Sequence, residues 1–223
     1  MNILVLESST DRLSLALGVG ERVYECDFHA GQTHAESILD EIGRLLETAQ
    51  LSLADLQAIV YGEGPGAFTG LRIACGNAQG LALARGLPVL GIGNLLAVAE
   101  ESGAVQALVC LDARMGEVYH AAYRKDAGDW HTVSAPGLYK PAEVPVPSDG
   151  GWIGCGSGFA AYGEMLENRL KGRLTCTLPD IYPTARAMLK LAKPRLEAGA
   201  GQDAATAAPI YIRDKVAFKT HER

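Results

Sequence analysis

The 223-residue sequence has little of what a metal or redox centre needs. Its five cysteines, Cys26, Cys75, Cys110, Cys155 and Cys176, are odd in number and scattered, with no pair at metal-ligand spacing. The expectation is reduced thiols, mostly buried in apolar runs, and no disulfide framework. The five histidines, His29, His34, His120, His131 and His221, contain no His-x-x-x-His pair, which removes the helical zinc motif of metallopeptidases. His34-Ala35-Glu36 matches half of a zinc-deaminase signature, but no Pro-Cys-x-x-Cys follows. No apolar run approaches the roughly 18 residues of a membrane span. The opening apolar segment, Asn2-Ile3-Leu4-Val5-Leu6, has no basic region or cleavage site, so a cytoplasmic protein is expected.

What is present is an ordinary globular composition, 48% hydrophobic and 21% charged, enough for one large domain or two small ones. The net charge of −6 is divided unevenly. Residues 1–103 hold 13 acids and 5 bases, whereas residues 104–223 hold 13 acids and 15 bases. An acidic first half is a poor surface for nucleic acid and a better one for a basic protein partner.

The pattern along the chain alternates hairpins with helices. Strands are expected at 3–7, 13–17 and 22–28, then an amphipathic helix over 34–50 with apolar residues three and four apart. A strand at 58–61 feeds Gly62-Glu63-Gly64-Pro65-Gly66-Ala67-Phe68-Thr69-Gly70-Leu71-Arg72, which reads as a tight turn into a helix over 70–85 capped by Thr69. A strand at 88–92 and a short helix at 94–101 close this half. The second half opens the same way. Leu108-Val109-Cys110-Leu111-Asp112 repeats Ile3-Leu4-Val5-Leu6-Glu7 in type, with a turn and a returning strand at 118–123. Further elements are a strand over 131–139, a proline-rich loop over 141–151, a strand and glycine turn over 152–158, and a helix over 159–170. Another helix covers 183–197, which Pro194 should kink or shorten. An extended ending is expected over 209–218. This reads as a duplicated α/β domain with mixed sheets covered by helices, in two lobes, 1–103 and 104–223, with 206–223 as a segment that could return to the first lobe.

The glycine turn, with Gly64, Gly66, Thr69, Gly70 and Arg72, is a candidate anion site, because a helix start presents free N–H groups and Arg72 adds a charge. It is not a Walker A loop, since Gly66 and Gly70 enclose three residues and Leu71 stands where lysine is needed. The plainer reading is that the glycines let the turn pack against a neighbour. Glu7 and Asp112, with the glycine turn at Gly154 and Gly156, could line a cleft between lobes that holds a metal–phosphate group. The alternative is that each acid ends a strand and bonds its own turn.

The opening strand and turn, Gly64-Pro65-Gly66-Ala67-Phe68-Thr69-Gly70-Leu71-Arg72-Ile73, Asp112-Ala113-Arg114-Met115-Gly116-Glu117-Val118-Tyr119 and Tyr211-Ile212-Arg213-Asp214-Lys215-Val216-Ala217 resemble one family in order and spacing. That family is TsaB (older name YeaZ), the bacterial partner in making threonylcarbamoyladenosine in tRNA. The resemblance implies an actin/Hsp70/sugar-kinase (ribonuclease H-like) fold of two duplicated lobes. It implies a glycoprotease-like but non-catalytic subunit that scaffolds and activates the paralogue TsaD and works with the ATPase TsaE. That complex moves threonylcarbamoyl from its adenylate onto the adenosine beside the anticodon of tRNAs reading codons that begin with A. The implied partners are TsaD, TsaE and a second copy of the chain, with tRNA met only indirectly. No catalytic residue, metal or cofactor of its own is implied; ATP or ADP could sit at the complex interface, with the cleft between lobes as the open alternative.

Family members usually carry Asp where this chain has Glu7, which puts kinase-like metal–phosphate geometry in doubt. The family's partner surface maps onto helices 34–50 and 70–85, where Ile38, Leu45, Asn77 and Leu81 are the candidate edge. The rival reading is a stand-alone nucleotide-dependent phosphotransferase or ATPase of the same fold; a metallopeptidase is disfavoured by the missing histidine pair.

Overall fold

The computed structural model describes residues 1–31 and 34–213, with only the backbone of His34. Its frame is two five-stranded mixed sheets. β1 (Asn2–Glu7), β2 (Arg12–Val19), β3 (Arg22–His29), β4 (Ala58–Gly64) and β5 (Val89–Gly93) form the first, in the order β3-β2-β1-β4-β5. β6 (Gln106–Asp112), β7 (Val118–Asp126), β8 (Asp129–Tyr139), β9 (Trp152–Cys155) and β10 (Leu174–Leu178) form the second, in the order β10-β9-β6-β7-β8. Each central strand, β1 or β6, ends in an acid and pairs antiparallel with its successor on one side. On its other side it pairs parallel with a strand that leads into a glycine turn. The two halves are therefore one topology used twice. This is the duplicated actin/Hsp70/sugar-kinase arrangement that the resemblance implies.

β1 and β4 are apolar almost throughout because helices cover both faces of the first sheet, as parallel pairing requires. On one face lie α1 (His34–Thr48) and α2 (Phe68–Arg85), which bury Ile38, Ile42, Leu45, Leu46, Ala74 and Ala78 against Leu4, Leu15 and Tyr61. On the other lies α5 (Ala185–Glu197), with Met188, Leu189, Ala192 and Leu196 packed on Val5, Ala16 and Val60. α3 (Asn94–Glu101) is shared. Its Ala97 joins this second core, while Leu95, Val98 and Ala99 pack on Val109, Leu111 and Ala121 of the second sheet. α4 (Ser157–Arg169) covers the remaining face, with Phe159 and Leu166 against Leu108 and the fully buried Trp152. The helix from the second half of the chain thus completes the core of the first.

Several local expectations need correction. α2 begins at Phe68 with Ala67 as its N-cap, so Thr69 lies inside the first turn and does not cap it. α1 ends at Thr48, and Gln50 closes it with φ of 56°. β10 was not anticipated: Leu174-Thr175-Cys176-Thr177-Leu178 is a short, half-exposed edge strand interrupted by an irregularity, with too little periodicity to be read. α5 runs through Pro194, whose missing N–H would have served Lys190, and both residues lie on the exposed side of the helix, away from the core. The irregularity falls instead in α4, at Tyr162, with φ of −136° and ψ of 30°. The extended ending is described to Arg213, and the expectations for 214–218 lie outside the described residues.

α2 also carries two glycines that nothing in its own lobe explains. A Cβ at Gly76 or Gly80 would meet no atom within 4 Å. Interior helix glycines cost stability relative to alanine, so Gly76→Ala and Gly80→Ala should each stabilise the isolated chain by about 0.5 to 1 kcal/mol. Urea unfolding followed by circular dichroism measures this, and a loss of stability would reveal an unseen neighbour.

Candidate functional site

The end of β1 and the glycine turn after β4 pack against each other with no space for further side chains. Glu7 is 1% exposed. One carboxyl oxygen accepts from the Ser9 N–H at 2.7 Å and from the Ser9 hydroxyl. The side-chain amide of Asn94, at the start of α3, donates to the same hydroxyl. Its oxygen accepts from the Gly64 N–H at 3.1 Å. The turn is thereby pinned to β1 and to α3 together.

Glycine is required here because backbone and carboxylate fill the space that side chains would use. A Cβ on Gly62 would overlap the second oxygen of Glu7, and one on Gly70 would overlap the Ser8 carbonyl oxygen. A Cβ on Gly66 would lie 2.5 Å from Cβ of Ser9. Gly64 has φ of 117°, precedes a cis peptide to Pro65, and faces the Ile210 carbonyl. Ala67 donates to the Ser9 carbonyl at 2.8 Å, and the Ser8 hydroxyl donates to the Gly70 carbonyl at 2.9 Å. The turn is filled by its own lobe and by the returning segment at Ile210. Arg72 is engaged too, with its guanidinium 3.8 Å from the Phe68 ring centre and its Nε donating to the Tyr211 hydroxyl at 3.0 Å.

The second lobe repeats the device with different exposure. Gly156 has φ of 102° and lies against the Cys110 carbonyl, where a Cβ would sit 2.6 Å away; Gly154 is filled by the Phe159 ring. Asp112 is partly buried, its side chain 16% exposed. It accepts from the Arg114 N–H at 2.8 Å, from the Arg114 guanidinium at 3.1 Å and from the Tyr162 hydroxyl at 3.2 Å, while its own N–H donates to the Ser157 hydroxyl. Each acid thus bonds its own turn. The second oxygen of Glu7 is buried without a partner, yet it points at Gly62 and not into open space. A metal–phosphate group does not fit these residues as they stand. Among the described residues no cluster of three or more His, Cys, Asp and Glu side chains could hold a metal, and no helix is long and apolar enough to cross a membrane.

The residues singled out as a partner edge divide into two kinds. Ile38 and Leu45 are 1% and 7% exposed and belong to the core beneath α1, so they present no surface. Leu81 is half-buried against the same core, and Asn77 is half-buried with its amide donating to the Ile73 carbonyl at 2.8 Å. The outer face of the two helices carries Leu39 and Leu83 instead, 57% and 59% exposed, with Gly43, Gly76 and Gly80 between polar residues. Helical periodicity signals an inward stripe, and an isolated outward leucine carries no comparable signal.

Burial pushes the Glu7 carboxyl up to about 7, against the two hydrogen bonds from Ser9, which favour the ionised form. The folded chain therefore holds this proton more tightly than the unfolded chain does. The resulting stabilisation is complete below the ordinary value of 4.5 and is lost as pH rises through about 7. Glu7→Gln, which cannot ionise, should gain on the parent chain by roughly 2 to 3 kcal/mol between about pH 5 and pH 8. Urea unfolding at both pH values measures the difference, and a gap that does not change with pH would mean that Glu7 stays ionised when folded.

A family model described as "TsaD: tRNA N6-adenosine threonylcarbamoyltransferase" matches residues 28–220. The chain is 34% identical over 227 residues to the tRNA threonylcarbamoyladenosine biosynthesis protein TsaB of Escherichia coli (strain K12), covering 98% of this chain and 97% of that protein. It is 33% identical over 235 residues to the protein of the same name from Haemophilus influenzae, covering 98% and 96%. Among solved structures, YeaZ from Pseudomonas aeruginosa superposes with a TM-score of 0.87 at 35% identity, covering 94% of this chain and 99% of that one. With likeness of this extent in both sequence and fold, the chain belongs to the TsaB (YeaZ) family of tRNA threonylcarbamoyladenosine biosynthesis proteins.

Proposed function

We propose that the chain is a non-catalytic scaffold of the machinery that transfers threonylcarbamoyl to tRNA, and that it docks TsaD through the outer face of α1 and α2. The observation that carries this is the pair of open glycines, Gly76 and Gly80, on a face that also exposes Leu39 and Leu83. Glycine in a helix interior is a stability cost with no return inside this lobe, and it permits the close backbone approach of another helix. Exposed leucines beside it supply apolar area to cover. The acids of α1, including Glu36, Asp40 and Glu47, rim that face and favour a partner with basic groups opposite.

The division of labour follows from the chemistry of the site. A carboxyl sealed under a glycine turn and an aspartate committed to its own turn leave no open acid pair for a metal–phosphate substrate. Reaction steps therefore fall to TsaD, with TsaE as the ATPase, and ATP or ADP belongs where subunits meet. The tRNA is met through the partners, and the α1–α2 face also suits a second copy of this chain when TsaD is absent. The place of action is the cytoplasm, where tRNA modification occurs.

Two measurements test this. Gly80→Arg, introduced where a side chain has open space, should leave the circular dichroism spectrum unchanged and weaken association with TsaD at least about tenfold, or 1.4 kcal/mol, by analytical ultracentrifugation. Unaltered association would place the partner elsewhere. In a reconstituted assay the purified chain alone should transfer nothing to tRNA and should restore transfer when added to TsaD, TsaE and the threonylcarbamoyl adenylate source. Equal rates with and without the chain would remove the scaffold role.

A further inference from the structure

The segment after α5 first joins the core of the first lobe, where Ala204 and Ala207 are buried, and then runs on beyond it. From Ala204 to Ala208 it is fastened to the first lobe: Gln79 donates to the carbonyls of Ala204 and Ala207 at 3.3 and 3.0 Å, and the Tyr61 hydroxyl pairs with both backbone groups of Ala208. The Ile210 N–H then donates to the Glu63 carbonyl at 2.6 Å, directly beside the glycine turn. The Tyr211 ring lies 5.3 Å from the Phe68 ring, and Arg72 bonds its hydroxyl. Two residues later the segment reaches the second lobe. The Arg213 guanidinium donates to the Glu117 carboxylate at 2.6 Å and touches the Arg114 carbonyl and the Met115 sulfur at 3.4 and 3.3 Å.

We propose that residues 204–213 form a latch, anchored on the first lobe, that holds the second lobe in one orientation through Arg213 and the turn 114–117. Three features support this. The contacts at the two ends belong to different sheets, so the segment spans the lobe boundary. Arg213 is mostly buried and Glu117 is partly shielded, so their bridge is less screened than a surface ion pair. The space between latch, glycine turn and Tyr119 is only about 20 Å³, lined by Pro65, Phe68, Leu71 and Tyr211, so the latch closes on both lobes with no room for a ligand beneath it. The latch concerns the chain by itself and does not rest on the partner assignment.

Pulsed electron–electron spin resonance on the full chain tests it. One spin label goes on Cys176, exposed on β10 of the second lobe, and the other on Thr48→Cys, exposed at the end of α1, in a Cys26→Ser background. The parent should give one narrow inter-label distance. Arg213→Ala and Glu117→Gln cut the same bridge from opposite ends without entering either core, and each should broaden the distribution at least about twofold while the far-ultraviolet spectrum is unchanged. A distribution of parental width in either variant would overturn the proposal and leave the segment a local ornament of the first lobe.

Discussion

The structure turns on a carboxylic acid shut away from the surface. Glu7 ends the central strand of the first sheet and is closed over by a turn whose side chains have been removed, at Gly62, Gly66 and Gly70, to let the backbone come down onto it. Burying such a group is costly unless it is neutral or hydrogen-bonded. This chain does some of both: Ser9 satisfies one oxygen, and burial raises the affinity of the group for its proton. The same closure sets the start of α2, because Ala67 and Gly70 are bonded to Ser9 and Ser8. The helix that presents Gly76 and Gly80 is thereby fastened to the Ser8–Ser9 segment that also holds the buried carboxyl.

Duplication explains the architecture, and divergence between the copies explains the site. Both lobes place an acid at the end of the central strand and a glycine of positive φ at the end of the parallel neighbour strand, Gly64 in one and Gly156 in the other. In the first lobe the acid is sealed in; in the second it keeps a little exposure and is claimed by Arg114 and Tyr162. A pair of acids facing a shared ligand needs both to be open to the same space, and the two copies no longer meet that condition. What the lobes share instead is packing: α3 lies between the sheets and α5 crosses back to complete the first core.

Much of this was legible beforehand. Period-two and period-three-to-four patterns marked most strands and helices, and the repeat of Ile3–Glu7 in Leu108–Asp112 marked the duplication. The failures have local causes. β10 is too short and too exposed to alternate clearly, and Pro194 sits where a helix can spare its hydrogen bond. Thr69 has the right chemistry for a cap, but the backbone turns two residues earlier. Ile38 and Leu45 belong to the stripe that faces the sheet, and a sequence does not distinguish that stripe from a partner edge beside it.

The order of elements, their doubling and the family membership are properties that the linear pattern determines, since periodicity and motif spacing survive without knowledge of neighbours. What fills the space beside a glycine is decided only in three dimensions. An absent Cβ looks the same in a sequence whether a phosphate, the chain's own backbone or another helix occupies its place. In Gly62, Gly66 and Gly70 the occupant is Glu7, Ser8 and Ser9, and at Gly76 and Gly80 the place is open. That difference, set by which strands and helices pack together, separates a closed turn from an exposed face.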